Sequence, residues 1–348
     1  MTVFLPTLTA VLAFLMAIAL VDQWRDRRRP YQLAWAAGSA FFGLASACEA
    51  IAAANGWNTG LFRVWYLTGA VLNVGWFGLG TAMLLARTRF GYAYAVLVAL
   101  SGVFTVLSQS KNHYPDVGPL VFLYLIGALI LALAIGAETY FQNERWPRIA
   151  AIGVVVVTLI GLAFVVAAPL PEGAIELDGH GVPVLTPLPG MLRLLTPFMN
   201  VTGGLALVFG ALFSAYVFMP KRRVLDYSLD PEQKGDVMLF NLLIGPVALV
   251  VNFVASLPGA LKALVLGRLH SRVPATLLIA AGALLISGTD FGVKGGATEI
   301  FQASKLVGIA LILLGFLVSI EAFRELRVPF TGIRLGGTRQ EPAEPSAS

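Results

Sequence analysis

The chain has one cysteine, three histidines and charged side chains at only 12% of its 348 positions. Each scarcity excludes something. Cys48 lies inside an apolar run without a partner, so there is neither a disulfide framework nor a thiolate metal site. His113, His180 and His270 all fall between apolar runs, which leaves an intramembrane haem without imidazole ligands. His113 with Asp116 and His180 with Asp178 match no metal-ligand spacing and read as polar loops. G-x-x-x-x-G-K-[ST], H-E-x-x-H and G-x-S-x-G are absent, so phosphate-loop hydrolysis, zinc proteolysis and α/β-hydrolase chemistry lack their signatures. The charge content is about half of the ~25% usual in soluble domains, so a water-soluble core is excluded.

Apolar length is what the chain has in abundance. Hydrophobic residues make up 57% of it, in runs near 3–21, 32–54, 62–86, 91–108, 118–140, 149–169, 192–219, 237–257, 274–289 and 302–323. A helix rising ~1.5 Å per residue needs about 20 apolar residues to cross ~30 Å of hydrocarbon. The expected fold is therefore all-α, a polytopic integral membrane helix bundle. Ala17 and Ala19 form an A-x-A pattern resembling a signal cleavage site, but the basic residues Arg25, Arg27, Arg28 and Arg29 follow the apolar stretch instead of preceding it. The first segment reads as a retained helix with its N-terminus outside.

Charge orients the rest. Arg25 to Arg29, Arg87 with Arg89, Arg145 with Arg148, and Lys221 to Arg223 alternate with loops poor in Lys and Arg, so residues 1–219 form seven helices running N-out to C-in. Residues 220–235 are a cytoplasmic basic linker, 236–328 hold the C-terminal membrane segments, and 329–348 are a disordered tail rich in Gly, Pro, Ser and Glu. Segment 237–257 breaks the alternation. If it is re-entrant or interfacial, nine helices span and 19 of the 24 Lys and Arg lie inside; if it spans, there are ten helices and 14 lie inside. The first arrangement is preferred, with the C-terminus cytoplasmic. An external strand pair over 175–182, around Asp178-Gly179, is also expected.

Polar residues within apolar runs are the candidate site, because each costs a few kcal/mol at depth unless protein or water satisfies it. Glu49 shares a helical face with Trp35, Ser39, Phe42 and Ser46; Asn73 with Tyr66, Gly69, Trp76 and Gly80; Asn200 with Gly203, Leu207, Gly210 and Ser214. Glu49, Tyr66, Asn73, Asn200 and Lys305 are the candidate lining of an outward-facing polar cavity. Asn241, Gly245, Pro246 and Asn252 are the candidate re-entrant or gating segment. Glu49 and Lys305, each a lone charge at similar depth near the outer surface, are expected to pair. Small and polar residues in such rows serve equally as packing seams.

The functional expectation is a transporter or solute- or ion-binding membrane protein. A non-catalytic sensor, scaffold or assembly module is the alternative, and a lipid-modifying enzyme the weakest reading. No catalytic residue, metal or cofactor is assigned. The net charge of +5 belongs to helix ends facing anionic headgroups, not to nucleic acid; a small solute or ion is the other expected partner. Abundant Arg and Ala with scarce Lys point to a bacterial source, hence the inner membrane.

Overall fold

The computed structural model describes residues 3–112, 117–141, 144–169, 175, 190–226, 236–270, 272–292 and 298–318. Of the strand pair expected over 175–182 only Ile175 is described, in neither helix nor strand; the rest of it, His113, Asp116 and the tail lie outside the described residues. The described residues contain helices and no strand: α1 (Phe4–Arg27), α2 (Pro30–Asn55), α3 (Thr59–Trp65), π1 (Tyr66–Leu72), α4 (Asn73–Leu84), α5 (Phe90–Asn112), α6 (Leu120–Tyr140), α7 (Trp146–Ala167), α8 (Gly190–Pro197), π2 (Phe198–Thr202), α9 (Gly203–Phe218), α10 (Asp236–Val265), α11 (Arg272–Gly292) and α12 (Thr298–Val318). The chain is a multi-pass membrane protein by this measure: nine described segments are long and apolar enough to cross a bilayer.

The glycine-bearing faces read from the sequence are the seams of the bundle. A side chain at Gly80 would collide with the Trp35 indole, and one at Gly210 with Thr81. Gly78 and Gly203 meet backbone to backbone where α4 crosses α9. Such approach lets dispersion contacts accumulate where lipid supplies no hydrophobic drive. The two π-helical segments sit beside this crossing and pack on each other.

The ends of the helices sort by charge. Arg89 donates to the carbonyl oxygens of Thr139 and Tyr140, and the Trp146 indole donates to Ala86 O at 3.0 Å. These bonds bring the ends of α4, α5, α6 and α7 together beside Arg87, Arg145 and Arg148. At the opposite end Arg63 donates to the carbonyls of Val165, Val166 and Ala168, satisfying the C-terminus of α7. Among the described residues, that end holds only Arg63, Lys111, Arg193 and Lys305 as its Lys and Arg.

Segment 237–257 contains no turn. Gly245 and Pro246 lie within the single helix α10, so the in-and-out hairpin has no break at which to reverse. Length and hydropathy favour α10 over α11 as a span, since Val247–Val265 qualifies and the apolar part of α11, Arg272–Ser287, is shorter. Packing points the other way. Arg272, at the start of α11, lies 4.8 Å over the Phe218 ring at the end of α9, and His270 stacks on the same ring at 4.9 Å. Gly204, at the start of α9, faces Ser287 near the far end of α11. The two helices are antiparallel neighbours, and the 219–271 connection, α10 included, therefore starts and finishes at the arginine-rich end. α12 returns antiparallel to α11, with Gly308 against Gly282 and Gly315 against Ala275.

Candidate functional site

Glu49 and Lys305 meet. The ammonium lies 2.7 Å from Oε1 and 2.5 Å from Oε2 of the carboxylate, although 256 residues separate them. α2 and α12 position the two, and both residues are buried, at 5% and 7% exposure. Oε1 also accepts from the Trp65 indole at 2.8 Å, and Oε2 from the Gln302 amide at 3.0 Å. The Lys305 ammonium sits 4.3 Å over the Phe301 ring. A carboxylate with four donor contacts and a cation held between it and an aromatic face is how a charge persists in an apolar segment. Gln302 Oε1, in contrast, is buried with no partner among the described residues.

Trp65 and Gln302 were not singled out by the sequence. Gln302 was accessible to the same criterion that found Lys305, being polar, inside an apolar run and three residues away on one helical face. Trp65 carried no such signal.

The other expected residues go elsewhere. Tyr66 is fully buried and stacks on Phe62 at 6.3 Å. Asn73 turns its side-chain oxygen onto the Val74 amide at 2.6 Å, at the junction of π1 and α4. Asn200 is exposed and donates to Ala70 O at 2.9 Å, tying π2 to π1. Neither amide touches the Glu49 cluster. In α10, Asn252 is wholly buried and accepts from the Val224 and Leu225 amides at 2.7 and 3.0 Å while donating to Leu225 O at 2.8 Å. Ser256 accepts from the Arg222 amide at 2.9 Å. The polar stripe of α10 thus clasps the basic connection 220–225. The Asn241 and Pro246 side chains lie outside the described ones.

A cavity of about 240 Å³ opens at the arginine-rich end. Its walls come from α1, α2, α4, α9, α11 and α12, and include Arg27, Tyr31, Trp35, Ser214, Arg272 and Thr276. Deeper along the same helices lies a packed apolar block containing Met16, Phe42, Phe77, Leu207, Ile309 and Ile312. Beyond the block is the Glu49–Lys305 pair. On α2 the order runs Trp35, Phe42, Glu49; on α12, read backwards, Phe316, Ile312, Lys305. At ~1.5 Å per residue the pair lies roughly 15–20 Å from the cavity walls.

The chain matches no protein-family model, no curated protein and no solved structure. No group of three or more His, Cys, Asp or Glu among the described residues is arranged to hold a metal ion.

Proposed function

We propose that the protein is a transport-type solute-binding membrane protein, its arginine-rich end cytoplasmic and its N-terminus outside, in the inner membrane of a bacterium. The observation that carries the reading is the order repeated along the helices: cavity, apolar block, charged latch. An aqueous cavity closed by apolar packing and then by an ion pair is what a pathway open to one side requires, since each state must seal the other side against leakage. Glu49 and Lys305 are the latch, and the unmet Gln302 carbonyl oxygen beside them is an acceptor that a water or a passing polar solute satisfies when the latch opens.

Access tests this. In a Cys48→Ala background, a cysteine replacing Thr276 in the cavity wall is expected to react with an impermeant thiol reagent much faster from the cytoplasmic side than from outside. Adding Glu49→Gln is expected to raise outside reactivity about tenfold, because 1.4 kcal/mol of lost bias is a tenfold change in population. Unchanged outside access in that variant would reject the latch.

The same reading sets α10 along the cytoplasmic membrane surface, leaving nine spans. A cysteine at His270 in the Cys48→Ala background is expected to be labelled in inside-out vesicles and protected in intact cells; labelling from outside would restore a spanning α10. The assembly-module reading retains one specific support, the exposed stripe Val247, Val250, Val254, Leu257, Leu261 and Leu264 on α10. Its steps of three and four make a continuous apolar face, which suits the bilayer interface or a second protein.

A further inference from the structure

We infer that the opened latch binds a neutral α-amino acid, whose zwitterionic head enters between Glu49 and Lys305. That ligand class deepens the transport reading and rests on it, since the pair must part to admit a solute.

The cluster divides into two sides. Glu49 on α2 and Trp65 on α3 form one, and Phe301, Gln302 and Lys305 on α12 form the other. The Trp65 indole holds Glu49 Oε1 at 2.8 Å, and its ring is wedged edge-on against Trp57, centroids 5.3 Å apart, and beside Phe62 at 6.0 Å. The carboxylate therefore keeps this donor when α12 moves away. Arg63, at the same end, is committed to three carbonyls of α7 and offers no replacement for Lys305. Parting leaves a carboxylate short of a cation opposite an ammonium short of an anion, both in apolar segments where unmatched charge is costly.

Charge balance selects the occupant. A lone cation would match Glu49 and strand Lys305, a lone anion would do the reverse, and an uncharged solute would leave both unmatched. A zwitterion exchanges one ion pair for two and adds no net charge. Gln302 narrows the class. It is 2% exposed; its amide nitrogen donates to Glu49 Oε2 at 3.0 Å, while Oε1 of the same amide has no partner among the described residues. With an α-amino acid in place, that nitrogen passes from Glu49 to the solute carboxylate, alongside the Lys305 ammonium. Oε1 accepts from the solute ammonium, whose other N–H groups face Glu49. The donor and acceptor of one amide lie side by side, as the two charged groups of an α-amino acid do, whereas an ω-amino acid holds them apart and a quaternary betaine has no N–H to give. The group that the closed pair leaves unmet is then satisfied. The Phe301 and Trp65 rings offer an uncharged side chain an apolar seat, and a charged side chain would bring back the imbalance.

The test uses the full chain in a neutral detergent, with tritiated L-alanine in equilibrium dialysis. Saturable binding of one alanine per chain is expected. Acetate, methylammonium and N-trimethylated alanine should each compete about 100-fold or more weakly than unlabelled alanine, since a site whose buried polar groups are left unpaired rejects an incomplete analogue. No saturable binding, or competition by acetate or methylammonium as strong as by alanine, would overturn the assignment. Gln302→Met leaves Glu49 and Lys305 paired and should weaken binding about tenfold or more. Ser304→Ala, which removes a hydroxyl bonded to the Ile300 carbonyl of its own turn, should leave binding unchanged. Equal affinities in these two variants would place the alanine elsewhere. Should Gln302→Met fold poorly, L-photoleucine, a diazirine-bearing α-amino acid, serves with the wild-type protein: adducts suppressed by alanine are expected on the segments carrying Glu49, Trp65 or Phe301, and adducts confined to other segments would end the proposal. Latch access is read separately through the Thr276 cysteine, so absent alanine binding with Glu49-dependent access intact rejects this ligand class and leaves the transport reading standing.

Discussion

Lys305→Met is expected to destabilise the detergent-solubilised protein by about 3–5 kcal/mol, because it leaves the Glu49 carboxylate buried with only the Trp65 and Gln302 donors. Glu49→Gln should cost a comparable amount, stranding the ammonium over Phe301. The double variant should lose clearly less than the sum of the two. Removing both partners takes away the attraction and the desolvation penalty together, and replacing a buried pair by apolar groups of similar volume is often near neutral. Thermal or denaturant unfolding of the four proteins gives the coupling directly as the departure from additivity. Additive losses would mean that the residues are neighbours without being energetically coupled, and the latch would lose its physical basis.

A second large effect is expected at the crossing of α4 and α9. A methyl group on Gly203 would stand 2.7 Å from Gly75 Cα and from the Val74 carbonyl carbon. These are backbone atoms in the middle of two helices and cannot swing aside as a side chain can. Gly203→Ala should therefore force the helices apart and lose about 1–3 kcal/mol or more, despite the ~1 kcal/mol that alanine adds to helix propensity over glycine. Gly204 is the control. Its added methyl would meet only the tip of Val74 at 3.4 Å and Ser287 at 3.9 Å, so Gly204→Ala should be neutral or slightly stabilising. Equal effects at both positions would show that helix propensity, not close approach, governs this seam.

The site was legible in the sequence to the extent that it consists of charges in apolar runs. Glu49 and Lys305 are the charged groups whose depth could be counted from helix ends, and a lone charge at depth has few escapes other than a partner. Asn73 and Asn200 carried the same polar mark, but an amide can satisfy itself with a nearby backbone group, as both do, so polarity in a membrane segment did not imply a shared cavity. The π turns were invisible: Tyr66-Gly69-Asn73-Trp76-Gly80 fits an unbroken α-helical stripe, whereas the chain widens to a π-helix over Tyr66–Leu72, where it packs against π2. The cavity was missed for a different reason. Its residues come from six helices, and no one segment carries a pattern for a space enclosed by several.

By itself the sequence determined that this is a membrane bundle, roughly where its helices lie and which ends collect arginine, because bilayer thickness and the cost of buried charge act on each segment separately. It also determined that Glu49 and Lys305 each needed a partner. Only the tertiary structure decided that they found one another, that the chain leaving α9 returns to the same end before entering α11, and that Arg27 and Arg272 line one cavity. Those outcomes depend on which helices are neighbours, and neighbour choice is set by close packing of small residues at Gly78, Gly203, Gly282 and Gly308, where complementarity of two surfaces, and not the composition of either, carries the energy.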